Sequence, residues 1–257
     1  MDAPLLSIVV PCYNESENLR SGVLQGLYDY VHAQPYTCEV IISDDGSTDD
    51  SRDLLIDTIA PWPRFRLQEN PHRGKPWAVW SGIIAARGKI VLFADMDQST
   101  PIDQVERLLP YFDQGYDLAI GSRGHERANF AWYRRLGSSA FLILRRLLLL
   151  RSIRDTQCGF KALRREVALE LFPKLEAIRD TEPAKGWKVT AFDVELLYLA
   201  ERAGYPIAEV PVEWADRDLA TGKGKSYIAE SQEMARQIFR IKINALKGFY
   251  DRSSDGV

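Results

Sequence analysis

The chain has 257 residues, of which 46% are hydrophobic and 27% are charged, and its formal net charge is −3 at pH 7. This length fits one large domain or two small ones with a sizeable core, and the composition is ordinary for a soluble globular protein. The slightly acidic balance excludes a general polyanion binder, so we expect no nucleic-acid partner.

The first 122 residues alternate between short apolar runs and helical patterns. Strands are predicted at 5–11, 38–43, 65–69, 89–94 and 116–121, with helices near 15–33, 49–60, 75–87 and 101–113. This alternation predicts an α/β fold with a single, mostly parallel sheet flanked by helices. Ligands of such sheets bind beyond the carboxyl ends of the strands, where this sequence places three polar clusters.

The pattern changes after residue 122. The predicted elements there are an arginine-rich apolar helix at 132–153, a loop at 155–161, helices near 164–172 and 193–203, a strand at 206–213, a polar loop at 215–226 and an amphipathic helix near 227–250. We find no internal repeat and no low-complexity linker. Residues 1–257 are therefore predicted to form one compact domain with a C-terminal elaboration.

Two carboxylates, Asp95 and Asp97, follow the apolar run at 89–94. Side chains two residues apart share one face of a strand, so both can converge on one hard cation at its end. Mg²⁺ or Mn²⁺ prefers oxygen ligands and is often held by one or two carboxylates plus substrate phosphates. Such an ion would neutralise a nucleotide diphosphate as a leaving group. The alternative is that these residues form an ordinary turn.

A second acidic pair, Asp44 and Asp45, precedes Gly46 at the end of the strand predicted at 38–43. The glycine and the polar residues that follow are typical of a strand-turn-helix joint. Two adjacent carboxylates exceed what the joint needs, and acidic side chains accept hydrogen bonds from ribose hydroxyls and ring N–H groups. The pair is a candidate contact for the base or ribose of a nucleotide.

Two further segments, at 11–15 and 70–75, precede predicted helices. In the first, Tyr13 could stack on a base, although the helix dipole alone explains Glu15. In the second, Lys75 follows Gly74 at a helix start, where backbone N–H groups attract phosphate. A solvated lysine is the alternative, and the spacing differs from that of a nucleoside triphosphatase loop.

These segments together resemble the nucleotide-sugar half of family 2 glycosyltransferases, which have the GT-A fold and invert the anomeric centre. The residues that carry this resemblance are Pro11-Cys12-Tyr13-Asn14-Glu15, the block 44–49, Gly74-Lys75 and Asp95-Met96-Asp97. The second half closely resembles dolichyl-phosphate glucosyltransferases, and dolichyl-phosphate mannosyltransferases more distantly. That resemblance rests on Gly121-Ser122-Arg123, Asp155-Thr156-Gln157-Cys158-Gly159-Phe160-Lys161 and the block 191–197.

The resemblance implies a UDP-sugar donor such as UDP-glucose, a divalent metal (Mg²⁺ or Mn²⁺) and a polyprenyl phosphate acceptor. It assigns donor binding to Pro11, Tyr13, Glu15, Asp44, Asp45, Lys75, Asp95, Met96 and Asp97. Asp97, with Asp95, would hold the metal, and Gln98 would orient a diphosphate or acceptor group. Asp193 and Arg123 are the catalytic candidates, Asp193 as the base. The chain then divides into a donor part at 5–122, an acceptor part at 123–226 and the helix at 227–250.

A phosphate acceptor changes what the site needs. A phosphate monoester is largely dianionic at pH 7 and can attack without losing a proton, so it needs cations more than a base. Arginine suits this task because its planar fork binds phosphate bidentately. The candidates for this phosphate are Arg123, Arg134, Arg135, Gln157, Arg217 and Lys225. A hydroxyl acceptor would instead require Asp193 as a general base.

Residues 134–154 contain six arginines, two apolar runs and no acidic residue. A basic, apolar helix too short to span can lie in the headgroup plane, and the helix at 227–250 is a second candidate for membrane contact. The alternative is a core or homodimer helix. The start of the chain lacks a signal-peptide pattern and three cysteines show no metal spacing, so we expect a cytoplasmic, peripherally membrane-bound protein.

Four alternatives remain open from the sequence. The first is a soluble family 2 enzyme that glycosylates a hydroxyl on a sugar, small molecule or protein. The second is a polyprenyl-phosphate mannosyltransferase that uses GDP-mannose. A non-catalytic nucleotide-sugar binding module and a nucleotidyltransferase are the others. Product analysis separates them, because the expected reaction releases UDP and places a hexose on lipid.

Overall fold

The computed structural model describes residues 3–123, 150, 153–180, 192–219 and 227–251, with the backbone alone at 227–235. Within these ranges seven strands form one sheet in the order β3-β2-β1-β4-β6-β5-β7. The strands are β1 (Leu6–Cys12), β2 (Cys38–Asp44), β3 (Phe65–Glu69), β4 (Ile90–Phe93), β5 (Leu118–Arg123), β6 (Lys161–Arg164) and β7 (Ile207–Val212). In this sheet β6 runs antiparallel to β4 and β5, and the other pairs are parallel.

Helices cover both faces of the sheet. They are α1 (Ser16–Arg20), α2 (Val23–Ala33), α3 (Ser51–Ile59), α4 (Lys75–Ala85), α5 (Val105–Leu108), α6 (Pro110–Asp113), α7 (Arg165–Leu171), α8 (Glu176–Arg179), α9 (Phe192–Ala203) and α10 (Tyr227–Leu246). Short 3₁₀ turns lie at Ile102–Gln104, Phe172–Lys174 and Phe249–Asp251. The predicted α/β GT-A-type architecture with a mostly parallel sheet is confirmed.

The inner strands are almost entirely buried because both faces of the sheet are covered, and most of their side chains are apolar. In β1, Val9 packs into one core cluster with α4, α7 and α9, while Ile8 and Val10 pack into the other cluster with α2 and α3. The alternation of side chains along a strand produces this division. The sheet is therefore a rigid platform, and its carboxyl edge carries the polar loops.

The predicted helix at 15–33 is wrong as a single element. Gly22 has a φ of 82°, and this left-handed residue ends α1 and begins α2. Glycine adopts that conformation without the steric penalty that a Cβ would bring. The prediction at 101–113 also breaks up, because Pro110 restarts the helical path after α5 and a 3₁₀ turn precedes it.

Strand β6 was missed, because the sequence predicted a loop up to residue 161 and a helix from about residue 164. Four residues are too few for a period-2 pattern, and only pairing with β4 and β5 defines the strand. The helices near 164–172 and 193–203 are present as α7 and α9, and the strand at 206–213 is present as β7.

The C-terminal helix ends at Leu246 and not at 250, and a 3₁₀ turn follows it. Its amphipathic character along the full length stays a prediction, as does the single domain over 1–257. Of the predicted helix at 132–153, Leu150 and Ile153 are described; both are buried and lie outside any helix, which corrects its end. The remainder lies outside the described residues.

Candidate active site

The candidate site lies at the carboxyl edge of the sheet. Loops leave β1, β2, β4 and β5 at this edge, and the antiparallel β6 begins there, since Lys161 pairs with Phe93 at the end of β4. The segment that precedes β6 therefore meets the loops that follow the parallel strands. Residues from both halves of the sequence are brought together by this arrangement.

The loop after β4 carries Asp95 and Asp97. One oxygen of Asp97, Oδ1, accepts the N–H of Ser99 at 2.8 Å, which fixes the carboxylate in a tight turn. Burial raises the pKa of Asp97, and the carboxylates of Asp95 and Asp218 raise it further. Negative charge is therefore in excess here, and a cation would stabilise the ionised form.

Asp95 forms an ion pair with Lys75 at the start of α4. Burial alone would lower the pKa of Lys75, but the carboxylates of Asp95, Asp193 and Asp97 outweigh that effect and raise it. Gly159 backs directly onto this pair, because a Cβ at residue 159 would lie 2.0 Å from Oδ2 of Asp95. The glycine is what permits the loop before β6 to approach the Asp95 carboxylate.

The donor atoms in this loop fit a hard divalent cation. Gln98 is 9% exposed and has a positive φ of 50°, and its Nε2 donates to the Asp95 carbonyl at 3.1 Å. Its carbonyl oxygen Oε1 is buried without a partner. Within the described ranges, no three His, Cys, Asp or Glu side chains are grouped to hold an ion. The protein would thus supply one or two carboxylates, as is usual for Mg²⁺ beside a substrate diphosphate.

Asp45 organises the loop before α4. Its carboxylate accepts the backbone N–H groups of Arg73 at 2.9 Å and Gly74 at 2.8 Å, and Nδ1 of His72 lies 2.9 Å from its Oδ2. The ring of His72 stacks on Tyr13, with centroids 4.2 Å apart. Burial nevertheless raises the pKa of Asp45. Tyr13 and Asp45, which are both predicted to contact a nucleotide, therefore belong to one cluster of aromatic and acidic side chains. His72 is also part of this cluster and was not predicted.

The other predicted donor residues differ in their accessibility. Asp44 is fully buried, and its carboxylate accepts Arg52 at 2.7 Å and the Ser47 N–H at 3.2 Å. The side chain of Met96 is 3% exposed and packs in the core, so its contact with a donor could involve only the backbone.

The remaining donor residues lie on β1 and in the turn after it. Pro11 lies within β1 opposite Ser43 of β2. Glu15 follows β1, and its Oε2 accepts from Asn18 at 2.6 Å. The donor roles of both residues stay predictions.

Asp193 stands at the first turn of α9 and is held by a buried cation. Nζ of Lys161 donates to Oδ1 of Asp193 at 2.6 Å and also to the carbonyl of Cys158. Lys161 is 0% exposed. Burying an ammonium group is costly unless it is paired, so this ion pair is a required element of the local structure. Lys161 belongs to the motif at 155–161, and the sequence predicted no role for it.

Arg123, at the end of β5, is oriented by Asp155. Nε of the arginine donates to Oδ2 of Asp155 at 2.8 Å, and Nη2 donates to Oδ1 at 2.9 Å, so the pair is bidentate. Burial alone would raise the pKa of Asp155, but the Arg123 guanidinium lowers it to about 2. The pair uses two of the five N–H donors of the guanidinium, and the other three have no partner within the described part of the chain. The ring centroid of Trp214 lies 5.4 Å from Cζ of Arg123.

The other predicted acceptor residues are partly described. The backbone N–H of Gln157 donates to Asp155 at 3.0 Å, and the backbone N–H of Arg217 donates to Oγ of Ser99 at 3.3 Å. Arg217 also lines a cavity of about 770 Å³ together with Asp97, Gln98 and Asn18. Arg134, Arg135 and Lys225 lie outside the described residues, so their roles stay predictions.

The segment 213–219 crosses the site and is fastened to the donor side. The N–H of Ala215 donates to the Ser99 carbonyl at 2.9 Å, and the N–H of Leu219 donates to Oδ1 of Asn18 at 3.1 Å. Asn18 also donates to Asp218 at 3.2 Å. The segment thus spans from Trp214, beside Arg123, to the loop of Asp97.

None of the helices in the described part of the chain is long and apolar enough to cross a bilayer.

A family model and two similar proteins indicate the same class of enzyme. The family model described as Glycosyl transferase family 2 matches residues 7–172. A dolichyl-phosphate beta-glucosyltransferase of Dictyostelium discoideum is 35% identical over 97% of this chain and 77% of its own length. The protein of that name from Saccharomyces cerevisiae is 32% identical over 95% of this chain and 76% of its own length.

Solved structures share the fold. Glucosyl-3-phosphoglycerate synthase from Mycobacterium tuberculosis, in complex with Mn²⁺, UDP-glucose and phosphoglyceric acid, is similar with a TM-score of 0.61 and 22% identity. The match covers 99% of this chain and 82% of that one. Mannosyl-3-phosphoglycerate synthase from Rubrobacter xylanophilus gives a TM-score of 0.65 at 15% identity, over 99% and 78% of the two chains.

These matches and the architecture agree with the resemblance read from the sequence. The family model covers well over half of the chain, and the relatives exceed 30% identity over most of both lengths. The protein belongs to glycosyl transferase family 2 and is a glycosyltransferase.

Proposed function

We propose that this enzyme is metal-dependent and inverting, and that it transfers glucose from UDP-glucose to a polyprenyl phosphate of the dolichyl type at the cytoplasmic face of a membrane. The names of the relatives from Dictyostelium discoideum and Saccharomyces cerevisiae support this acceptor and sugar. The geometric observation that carries the proposal is the pairing of Asp193 with the buried Lys161.

That pairing favours a phosphate acceptor over a hydroxyl acceptor. A hydroxyl must lose its proton to a base during attack, and Asp193 already shares Oδ1 with an ammonium group. A phosphate dianion needs no base, but it needs positive charge nearby. Arg123 brings a guanidinium to this edge of the sheet, with three N–H donors that have no partner among the described residues, and Lys161 lies buried behind Asp193.

On the donor side, Asp97 and Asp95 would hold Mg²⁺ or Mn²⁺, with the unpartnered oxygen of Gln98 close by. The bound ion would stabilise the negative charge of the departing diphosphate. Lys75 adds a positive charge at the start of α4, where the backbone N–H groups also favour phosphate. Tyr13, Asp45 and the loop at 72–74 would contact the uridine.

The direct test combines purified enzyme, Mn²⁺, a panel of UDP- and GDP-sugars and a polyprenyl phosphate. We expect a lipid-linked hexose from UDP-glucose and one equivalent of UDP, measured by mass spectrometry. Transfer from GDP-mannose alone would instead identify the enzyme as a polyprenyl-phosphate mannosyltransferase. Labelling of a water-soluble acceptor with no labelled lipid would contradict the proposed acceptor.

Asp193→Asn distinguishes the two acceptor chemistries. General-base catalysis contributes about 10²–10⁴-fold, so a hydroxyl-transferring enzyme would lose that factor. With a phosphate acceptor we expect kcat to fall by no more than about tenfold, because no proton must be removed from the acceptor. The variant also leaves the buried Lys161 without its charged partner, so its unfolding free energy should fall by about 3 kcal/mol or more. The accompanying measurement is the pH dependence of kcat between pH 6 and 9 for both proteins. With a phosphate acceptor, the two profiles should have the same shape. With a hydroxyl acceptor, the limb that reports the Asp193 base should disappear in the variant.

A further inference from the structure

A row of exposed apolar side chains runs along the outer face of α10. Phe239 is 49% exposed, Ile243 is 47% exposed and Leu246 is 78% exposed. They are spaced four and three residues apart, so they lie on one face of the helix. Large apolar side chains exposed singly are normal, whereas three in a row on one face mark an interaction surface.

Basic residues accompany this row. Arg236, Arg240 and Lys247 are exposed and fall on the same face, at spacings of three and four residues from the apolar side chains. The described segment 236–247 contains no Asp or Glu. We call these six residues the α10 stripe: Arg236, Phe239, Arg240, Ile243, Leu246 and Lys247.

The stripe cannot turn inward, because the opposite face of α10 is fixed to the protein. Ile238 is 0% exposed and Ile241 is 4% exposed, and both pack in the core. Asn244 donates to Glu176 of α8 at 3.2 Å, and Arg240, at the edge of the stripe, forms an ion pair with the same glutamate. The apolar row therefore stays on the surface of the folded molecule.

We infer that the α10 stripe is a docking surface for an anionic lipid bilayer. This inference deepens the proposed function, on which its biological purpose rests, by naming residues that would hold the enzyme beside its lipid acceptor. A helix with an apolar row and basic neighbours lies in the headgroup plane, with the apolar side chains inserted and the cations near lipid phosphates. Each basic residue near an anionic leaflet strengthens binding, and salt weakens it.

A second copy of the chain fits this surface less well. In a two-fold dimer the same patch meets itself, which would place Arg236, Arg240 and Lys247 against the same cations. The three partly exposed apolar side chains offer on the order of 300 Å², whereas a standard protein interface needs about 800 Å² per partner. An anionic bilayer carries the complementary charge, and its attraction for the cations adds to the burial of the apolar row.

The position of α10 also suits an acceptor that arrives from a membrane. Tyr250, four residues after Leu246, donates to Glu195 at 2.8 Å. Glu195 lies two residues after Asp193 on α9. The end of the stripe is therefore joined to the helix that carries the acceptor-side carboxylate of the site.

Vesicle sedimentation tests the inference with the full chain. Phosphatidylcholine vesicles with and without phosphatidylglycerol serve as probes. The triple variant Phe239→Ser/Ile243→Ser/Leu246→Ser should bind anionic vesicles at least about tenfold more weakly than the wild type. The matched control is Ile56→Ser/Ile84→Ser, whose side chains are 47% and 53% exposed on α3 and α4 and should leave binding unchanged.

A charge variant examines the second part of the stripe. Arg236→Gln/Lys247→Gln should lose most of the preference for phosphatidylglycerol and most of the salt dependence. Wild-type binding by the triple variant, or an equal loss in the Ile56/Ile84 control, would overturn the inference. So would sedimentation velocity showing a wild-type dimer that the triple variant converts to monomer, since the stripe would then join two copies.

Activity separates this inference from the proposed function. With a short-chain polyprenyl phosphate in detergent, the triple variant should match the wild-type rate, because no stripe residue touches the site. If every polyprenyl phosphate fails as acceptor while the stripe still directs vesicle binding, the proposed function falls and the docking surface stands.

Discussion

The donor and acceptor sides of the site are built by different kinds of contact. On the donor side, Asp97 accepts the N–H of Ser99 two residues away, and Asp44 accepts the N–H of Ser47 three residues away. On the acceptor side, Arg123 pairs with Asp155 and Lys161 pairs with Asp193, each across 32 residues. Local turns therefore shape the Asp97 and Asp44 loops of the donor side, whereas the two acceptor-side pairs, like the contacts of Asp45 with the loop at 72–74, exist only once the sheet has formed.

This contrast has a functional consequence. Donor-side substitutions should alter nucleotide and metal binding with little effect on folding. Acceptor-side substitutions should alter stability and transfer together, because their ion pairs hold separate elements. Four changes test that division, and they are ordered by the size of the expected effect.

Asp97→Asn should have the largest effect. Removing the carboxylate best placed for the metal should lower kcat/KM by about a thousandfold, equivalent to about 4 kcal/mol of transition-state stabilisation. Calorimetry of UDP binding with Mn²⁺ and with chelator is the measurement. The wild type should bind UDP more weakly with chelator, and the variant should bind it weakly in both. Asp113→Asn, at an exposed acid at the end of α6, is the control and should behave as the wild type.

Lys161→Met should be the most damaging acceptor-side change to stability. It leaves Asp193 beside an apolar side chain, and removing one partner of a buried pair costs about 3 kcal/mol or more. Urea unfolding measures this change. Lys174→Met removes a surface pair with Glu170 and should cost less than about 0.5 kcal/mol. If Lys161→Met unfolds like the wild type, the contrast between the two sides is wrong.

Glu195→Gln should remove a pH dependence from the acceptor side. Glu195 is 4% exposed, and burial raises its pKa from 4.5 to about 7. The folded state therefore favours the protonated form, and the stability from this group is complete below pH 4.5 and lost as pH rises through 7. Glutamine keeps an oxygen for the Tyr250 hydroxyl and cannot ionise.

The variant should therefore match the wild type at pH 5 and exceed it by about 2 kcal/mol at pH 8. Thermal and urea unfolding at several pH values would measure this difference. Glu166→Gln, at an exposed site on α7, should leave the pH profile unchanged. A pH-independent difference between Glu195→Gln and the wild type would contradict the assignment to Glu195.

Gly159→Ala tests the point where the two sides touch. The new methyl group would displace the Asp95 carboxylate from Lys75, and kcat/KM should fall by about tenfold because a charged group of the site is misplaced. The unfolding free energy should change by less than about 1 kcal/mol, because the displaced atoms end a side chain. Gly26→Ala, which meets no atom within 4 Å in α2, should keep full activity and gain about 0.5 kcal/mol of stability.

The sequence predicted the fold class and the strands of the parallel sheet because their apolar runs are continuous and bounded by turns. It also predicted the acidic clusters at the strand ends, since those clusters are contiguous in the chain. Lys161 was missed because its role depends on a partner 32 residues away. Met96 was placed in the site although its side chain packs in the core, a direction that spacing alone does not reveal.

His72 could have been found with the sequence at hand. It stands in a loop with a proline and a glycine immediately before a helix, where polar side chains often contact ligands. Its stacking on Tyr13 joins two loops that are far apart in the chain, and the parallel pairing of β1 with β2 and of β2 with β3 brings them together. The break at Gly22 was equally visible as a glycine inside a long helical pattern.

The reversed strand β6 has one more consequence, for the tolerance of this enzyme to changes in chain length. Residues 155–160 resemble a surface loop, where an added or deleted residue normally costs little. Here the loop delivers Lys161 to its pairing position opposite Phe93, and a shift of one residue would turn every side chain of β6 to the opposite face of the sheet. A single-residue deletion in this loop would therefore point the ammonium group away from Asp193, so the spacing is as restrictive as the identity of the residues.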